Sequence, residues 1–259
     1  MVPFDLAYSL SGFVVGVIVG MTGVGGGALM TPLLVLLFGV APATAVGTDL
    51  LYASATKTGG TLVHGRHGHI QWGIVGRLAA GSLPGALLTL WALGALEVDH
   101  ALFSRIITRS LGAALLLTAV AILCRNWLQR IGARKEESWH ERQRGSLTVL
   151  VGLVLGILVT LSSVGAGALG VTALLFLYPR LPTAQIVGTD IAHAVPLTLV
   201  AGLGHAHMGT VNWSLLGSLL VGSLPGIWLG SMLSARVPDG VLRAGLASVL
   251  VVVGGKLVL

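Results

Sequence analysis

The chain has 259 residues, of which 54% are hydrophobic and only 9% charged, and its mean hydropathy is +0.93. A soluble domain of this length needs far more charge to cover its surface, so the composition excludes one and indicates a polytopic helical protein embedded in a lipid bilayer. The net charge of +6 does not imply a nucleic-acid partner, because six of the fifteen Lys/Arg fall between Arg125 and Arg144, a clustering that in membranes records topology.

In chain order, the first element is a broken apolar segment over residues 4–38. No Lys or Arg occurs before Lys57, so this segment lacks the basic region of a signal peptide and is expected to stay in the mature protein. As one straight helix it would measure roughly 50 Å, too long for a single crossing. The run Gly23-Val24-Gly25-Gly26-Gly27, preceded by Thr22, interrupts it near the middle. Glycine weakens a helix and lets the chain turn, which predicts two half-helices folded as a hairpin. Such irregular backbone survives at membrane depth only when it is buried in protein or lines a wet cavity.

Three ordinary spans follow, over 43–63, 70–93 and 102–124. The first of them opens with Val46-Gly47-Thr48-Asp49 and carries Lys57 in its interior. The third ends at Cys124, the only cysteine, which can form neither an internal disulfide nor a dithiol relay, so a thiol-redox carrier is disfavoured. Residues 125–145, with six Lys/Arg and three Glu, are the one long polar stretch. They are expected to be a basic cytoplasmic linker between a first repeat, 1–124, and a second, 146–259.

The second half repeats the plan. A broken segment over 146–178 is interrupted at Ser162-Ser163-Val164-Gly165-Ala166-Gly167, and spans follow over 184–204, 212–233 and 240–258. The match extends to residues. Val46-Gly47-Thr48-Asp49 returns 141 positions later as Val187-Gly188-Thr189-Asp190. Gly81-Ser82-Leu83-Pro84-Gly85 returns at the same offset as Gly222-Ser223-Leu224-Pro225-Gly226, and His64, Gly68, Trp72 and Gly76 match His205, Gly209, Trp213 and Gly217. The glycine-rich breaks match at an offset of 140.

The expected fold is therefore an all-α polytopic membrane protein of two homologous repeats, each a broken, re-entrant-like helix hairpin plus three transmembrane helices. Charge selects their relation. If both broken segments are hairpins, the repeats are inverted, and Arg66, the 125–145 cluster, Arg180, Arg236 and Arg243 all face the cytoplasm. Parallel repeats would move Arg180, Arg236 and Arg243 outside, so the positive-inside bias favours inversion. Duplication of this kind in an apolar chain marks a secondary transporter, whose substrate site lies where the repeats meet.

Three sets of residues are candidates for chemistry. At the breaks, Thr22, Gly23, Gly25, Gly26 and Gly27, with Ser162, Ser163, Gly165 and Gly167, join hydroxyls to free backbone N–H groups at the start of a half-helix, an anion site that needs no charged side chain. The alternative is that these glycines only let helices pack closely. Lys57 offers an ammonium to an oxyanion, and its repeat partner is Thr198, so the charge is not duplicated. The alternative is a lysine neutralised by an Asp from the other half. Asp49 and Asp190 are carboxylates in apolar spans, either proton carriers or N-caps of their helices. His193, the partner of Tyr52, could shuttle protons.

The tracts His64-Gly-Arg-His67-Gly-His69 and His205-Ala-His207 carry no carboxylate or cysteine to complete a ligand set, so no metal and no cofactor are expected. Gly81-Ser-Leu-Pro84-Gly85 and its copy are expected to shape or kink their spans.

In order and duplication, the glycine-rich break followed by Ala-Leu, the Val-Gly-Thr-Asp entry, the Gly-x-Ile/Val-x-Trp loop and the Gly-Ser-Leu-Pro-Gly span resemble the TauE/SafE family of membrane transporters. The resemblance runs from about Gly12 to Leu233, the linker excepted. It implies a carrier in the bacterial cytoplasmic membrane for sulfite, organosulfonates or related small anions, with the breaks at 22–27 and 162–167 in the anion site. Ala166 stands where the first half has Gly26, so the half-sites are not identical. The expected function is secondary transport of a small sulfur oxyanion by alternating access, with possible proton coupling. A carboxylate carrier, a channel and a non-transporting membrane scaffold are the other readings. A membrane enzyme is disfavoured, since no nucleophile–base pair stands at suitable spacing.

Overall fold

A computed structural model of the chain describes residues 6–22, 27–95, 100–135, 141–233 and 239–258. Among these residues there are ten helices and no strand. They are α1 (Leu6–Thr22), α2 (Gly27–Leu36), α3 (Pro42–Arg66), α4 (Trp72–Ala95), α5 (His100–Lys135), α6 (Glu141–Ser162), α7 (Ala168–Leu177), α8 (Thr183–His207), α9 (Trp213–Leu233) and α10 (Asp239–Val258). Five of them, α4, α5, α6, α8 and α9, are long and apolar enough to cross a bilayer. Helix α3 has the length but carries Asp49 and Lys57. The exposed Trp72 and Trp91 of α4 stand nineteen residues apart, roughly 28 Å, matching an aromatic belt at each face of the hydrocarbon.

Each broken segment contributes two helices, α1 and α2 in the first and α6 and α7 in the second, the latter pair separated by the break at Ser163–Gly167. The end of α7 returns to the beginning of α6, where the Tyr178 hydroxyl meets Thr148 Oγ1 at 2.8 Å and the Arg144 guanidinium lies 5.6 Å from the Tyr178 ring. At the other broken segment, the rings of Tyr8 in α1 and Phe38 after α2 are 4.9 Å apart. Helices α3 and α8 each end at a glycine in the left-handed conformation, Gly68 at φ 68° and Gly209 at φ 73°, which closes the last turn.

The segment expected as a linker is largely helical. Helix α5 continues to Lys135 and α6 starts at Glu141, so the boundary at 125 falls inside a helix of 36 residues, roughly 54 Å long. Its polar end carries three Arg and a Lys, good helix formers, and a Cβ on Gly132 would strike the Phe176 carbonyl, so that end is docked against α7.

The main packing partners are α1 with α9, α4 with α6, α3 with α8, and α5 with α10. Glycines set the first two. A Cβ on Gly81 or Gly85 would run into the carbonyls of Val149 or Leu153 in α6, and one on Gly222 or Gly226 into those of Ser9 or Phe13 in α1. Removing the side chain lets the backbones touch, the usual basis of helix association in lipid. The Gly-Ser-Leu-Pro-Gly motifs were expected to shape their spans. Helices α4 and α9 run unbroken through Pro84 and Pro225, and the motif glycines hold them against α6 and α1.

Gly81→Ala should therefore overpack the α4–α6 contact and cost about 1–3 kcal/mol. Gly76→Ala, on the same helix with nothing near its added Cβ, should cost nothing. Thermal melting of the two purified variants tests the contrast. Equal melting points would refute the close contact.

Candidate functional site

The polar interior is built on the crossing of α3 and α8. Ser54 Oγ donates to the Val195 carbonyl at 3.5 Å there, and these residues are one repeat offset apart. The ends of the two helices are fixed by matched bonds: the Gln71 backbone N–H donates to Thr189 Oγ1, and that of Asn212 donates to Thr48 Oγ1, both at 3.0 Å.

Asp49 and Asp190 stand eight residues into their helices, which begin after Ala41 and Pro182 without a side-chain cap. Neither carboxylate is an N-cap. Both are buried, and each faces the half-helix behind a break. Asp49 Oδ2 accepts a hydrogen bond from Thr31 Oγ1 of α2 at 2.5 Å, while Oδ1 has no protein partner. Asp190 lies against the first turn of α7, so close that a Cβ on Gly170 would overlap its Oδ1, and both of its oxygens lack a hydrogen-bond donor.

Lys57 is buried too, and its Nζ donates to the Ala166 carbonyl inside the second break. It lies within electrostatic range of both Asp49 and Asp190, without a direct ion pair to either. The break itself is strained and closed around its own groups. Ser163, Gly165 and Gly167 take φ of 58°, 116° and 150°, and Ser163 is a non-glycine residue in the left-handed region. Ser162 Oγ donates to the Leu158 carbonyl at 2.6 Å and accepts from the Val164 N–H at 3.2 Å, whereas Ser163 Oγ lies beside Asp49 without closing a hydrogen bond.

His193 completes the cluster. Its Nε2 is 2.8 Å from Ser82 Oγ, and its Nδ1 is buried without a partner. The matched pair in the other half is Tyr52 and Ser223, which lie near each other with the Tyr52 hydroxyl unbonded. The structure thus brings Lys57, Asp49, Asp190, His193, Ser163, Gly165 and Gly167 into one region. Ser162 lies beside it with its hydroxyl committed to the α6 backbone. Thr22 closes α1 and Gly27 opens α2, while Gly23, Gly25 and Gly26 lie outside the described residues.

Sequence reasoning passed over Thr31, Ser82, Ser223 and the Ala166 carbonyl. The duplicated serine inside Gly-Ser-Leu-Pro-Gly was the available signal. The histidine tracts do not converge: His205 is used between the Thr160 carbonyl, at 3.0 Å, and Thr210 Oγ1, at 2.9 Å. Among the described residues no group of three His, Cys, Asp or Glu side chains is placed to hold a metal.

This arrangement can hold a small polar solute among buried donors and acceptors of both signs, inside a bundle of apolar helices. The family described as sulfite exporter TauE/SafE matches residues 8–257. The chain belongs to the TauE/SafE family. Its similarity to a probable membrane transporter protein of Bacillus subtilis, YjnA, is 42% identity over 96% of this chain and 98% of the relative. A second B. subtilis probable membrane transporter, YdhB, is 30% identical over 90% of this chain and 92% of its own length. A Haemophilus influenzae protein with the same description is 27% identical over 98% and 97%. No solved structure matches the chain. As a TauE/SafE member, the protein is a multi-pass membrane protein of a transporter family.

Ser82→Ala should leave His193 Nε2 buried and unbonded, costing about 1–3 kcal/mol. Ser223→Ala should cost less, because the Tyr52 hydroxyl makes no hydrogen bond there. Paired thermal unfolding of the two variants checks the difference.

Proposed function

We propose that this protein is a secondary transporter of the bacterial cytoplasmic membrane. It moves a small sulfur oxyanion of the sulfite, organosulfonate or thiosulfate type by alternating access, coupled to protons. The observation that carries the reading is the buried cluster at the α3–α8 crossing, where Asp190, Ser163, His193 and Tyr52 all retain polar atoms without a protein partner. Buried polar groups in native proteins are nearly always bonded, so such a concentration at one place suits a polar ligand and the water that travels with it. The sulfur oxyanion rests on the description of the family, since the donors themselves bond sulfur and carbon oxyanions alike.

Proton coupling follows from charge. Two carboxylates and one ammonium face a bound anion, and a second negative charge in a medium of low dielectric is costly. Taking up one proton with each anion leaves the local charge unchanged. Lys57 then attracts the anion, and Asp190, with no donor on either oxygen, is the proton acceptor.

The alternating-access part rests on two inverted repeats. Paired contacts support it: α1 packs on α9 as α6 packs on α4, and the bonds of Gln71 and Asn212 repeat with the sequence offset. The distribution of charge agrees with it. Arg77 bonds Glu141 at 3.4 Å, so the starts of α4 and α6 share the end where α5 finishes against α7, while Arg105 and Lys256 lie toward the other end.

Lys57→Met should lower uptake of radiolabelled sulfite into proteoliposomes by roughly ten- to a hundredfold, the loss of a charge-assisted contact. Asp190→Asn should leave uptake indifferent to an imposed pH gradient. Saturable wild-type uptake competed by thiosulfate but not acetate is the expected baseline. An unchanged response to the gradient in Asp49→Asn and Asp190→Asn together would remove proton coupling through these carboxylates.

Topology has its own test in a Cys124→Ser background. Single cysteines introduced as Arg66→Cys and Arg180→Cys should react with an impermeant maleimide from the cytoplasmic side, and Lys256→Cys from outside. Labelling of the first two from opposite sides would mean parallel repeats.

A further inference from the structure

A groove separate from the polar cluster runs between α5, α6 and α7. Its volume is about 390 Å³, and its walls include Leu117, Ala121 and Leu128 of α5, Leu150 of α6, and Leu169 and Phe176 of α7. Almost no polar atom reaches its surface. Leu117 and Leu150 are about half exposed, so the groove opens sideways from the bundle.

Its depth follows from α7. That half-helix has ten residues, roughly 15 Å, which is half of a hydrocarbon core of about 30 Å. Leu169 stands at its inner end, beside the break, and Phe176 near its outer end. The groove therefore spans one leaflet. The outer end lies at a membrane surface, where Trp127, next to Leu128, is 62% exposed, as interfacial tryptophans are. Immediately beyond it the charge turns strongly positive. Between Arg125 and Gly145 there are six Lys/Arg against three Glu. Arg125, about one turn from both Ala121 and Leu128, stands on the groove side of α5, and the Arg144 guanidinium of α6 lies over the Tyr178 ring just past the end of α7.

An apolar slot one leaflet deep, with a basic rim, matches a phospholipid with one acyl chain in the slot and an anionic headgroup at the rim. We propose that this groove binds an anionic phospholipid of the leaflet on the basic side. The tail would end against the wall formed by Leu155 and Leu169. A Cβ on Gly165 would come within 3.9 Å of Leu155 Cδ2 and 3.2 Å of Leu169 Cδ1, so these two groove-lining side chains also pack against the strained break. A lipid seated there supports the backbone that carries the polar cluster from its apolar side. The inference does not depend on what is transported.

Native mass spectrometry of the full chain, delipidated in detergent and titrated with phosphatidylglycerol or phosphatidylcholine, tests it. Phosphatidylglycerol should be retained roughly tenfold more tightly. Ala121→Trp fills the slot and should lower retention of both lipids by about tenfold, in line with the lost acyl-chain burial. Leu150→Trp, at the exposed rim, should do the same and carries the test if the buried change prevents folding. The double variant Arg125→Gln/Arg144→Gln should bring the two lipids toward equal affinity while leaving the slot open. Equal retention of the two lipids by the wild type would overturn the proposal. So would phosphatidylglycerol binding unaffected by a folded groove-filling variant, or a dimer mass that Ala121→Trp abolishes, which would make the occupant a second copy of the chain.

Discussion

Three ionisable side chains, Asp49, Asp190 and Lys57, are buried within a bundle whose surroundings are hydrocarbon. A charge at that depth is tolerated only if other protein groups replace water around it. Much of the architecture answers this requirement. Helix α2 brings Thr31 to one carboxylate, and the break before α7 brings a carbonyl to the ammonium. Helices α4 and α9 bring Ser82 and Ser223 to His193 and Tyr52. The half-helices are short because their inner ends must stop beside the carboxylates, and a full crossing would bury its termini elsewhere.

The repeat supplies the frame twice and the chemistry once. Asp49 and Asp190 are equivalent in sequence, yet one accepts a hydroxyl bond and the other accepts none. Lysine faces threonine across the offset, and tyrosine faces histidine. A site made of two equal halves would treat both orientations of a solute alike. Placing a buried ammonium in the first half, while tying it to a carbonyl of the second, makes the two halves chemically unequal.

Much of this was legible in the sequence, and the remainder has physical reasons. The division of each broken segment into two helices was readable because glycine runs and span length conflict with one straight crossing, and apart from α5 the observed helices lie within a few residues of the expected spans. The long end of α5 was not, since a basic, charged stretch reads as linker until Gly132 is seen docked on the Phe176 carbonyl. The candidate carboxylates were legible as charges in apolar spans, but their role in the helix was not. Gly-Thr-Asp looks like an entry turn, whereas proline sets the start of each helix seven to eight residues earlier. The partners Thr31, Ser82 and Ala166 depend on which faces meet, and no periodicity in the chain encodes that.

The glycine contacts also limit how such a bundle can open. The tightest backbone approaches join α1 to α9 and α4 to α6, and each joins a helix of the first half to one of the second. Sliding the first 124 residues as a body against the remainder would break both interfaces along their length, in cores packed too closely to deform gradually. The α3–α8 crossing is different. Its direct polar link between the helix middles is the long Ser54–Val195 bond of 3.5 Å, and its matched bonds lie at the helix ends. Units of low resistance are therefore mixed units, one containing α1 with α9 and the other α4 with α6, with the α3–α8 seam between them. Movement along that seam would change the surroundings of Asp49, Lys57, Asp190 and His193 together, while the α1–α9 and α4–α6 glycine contacts stay closed.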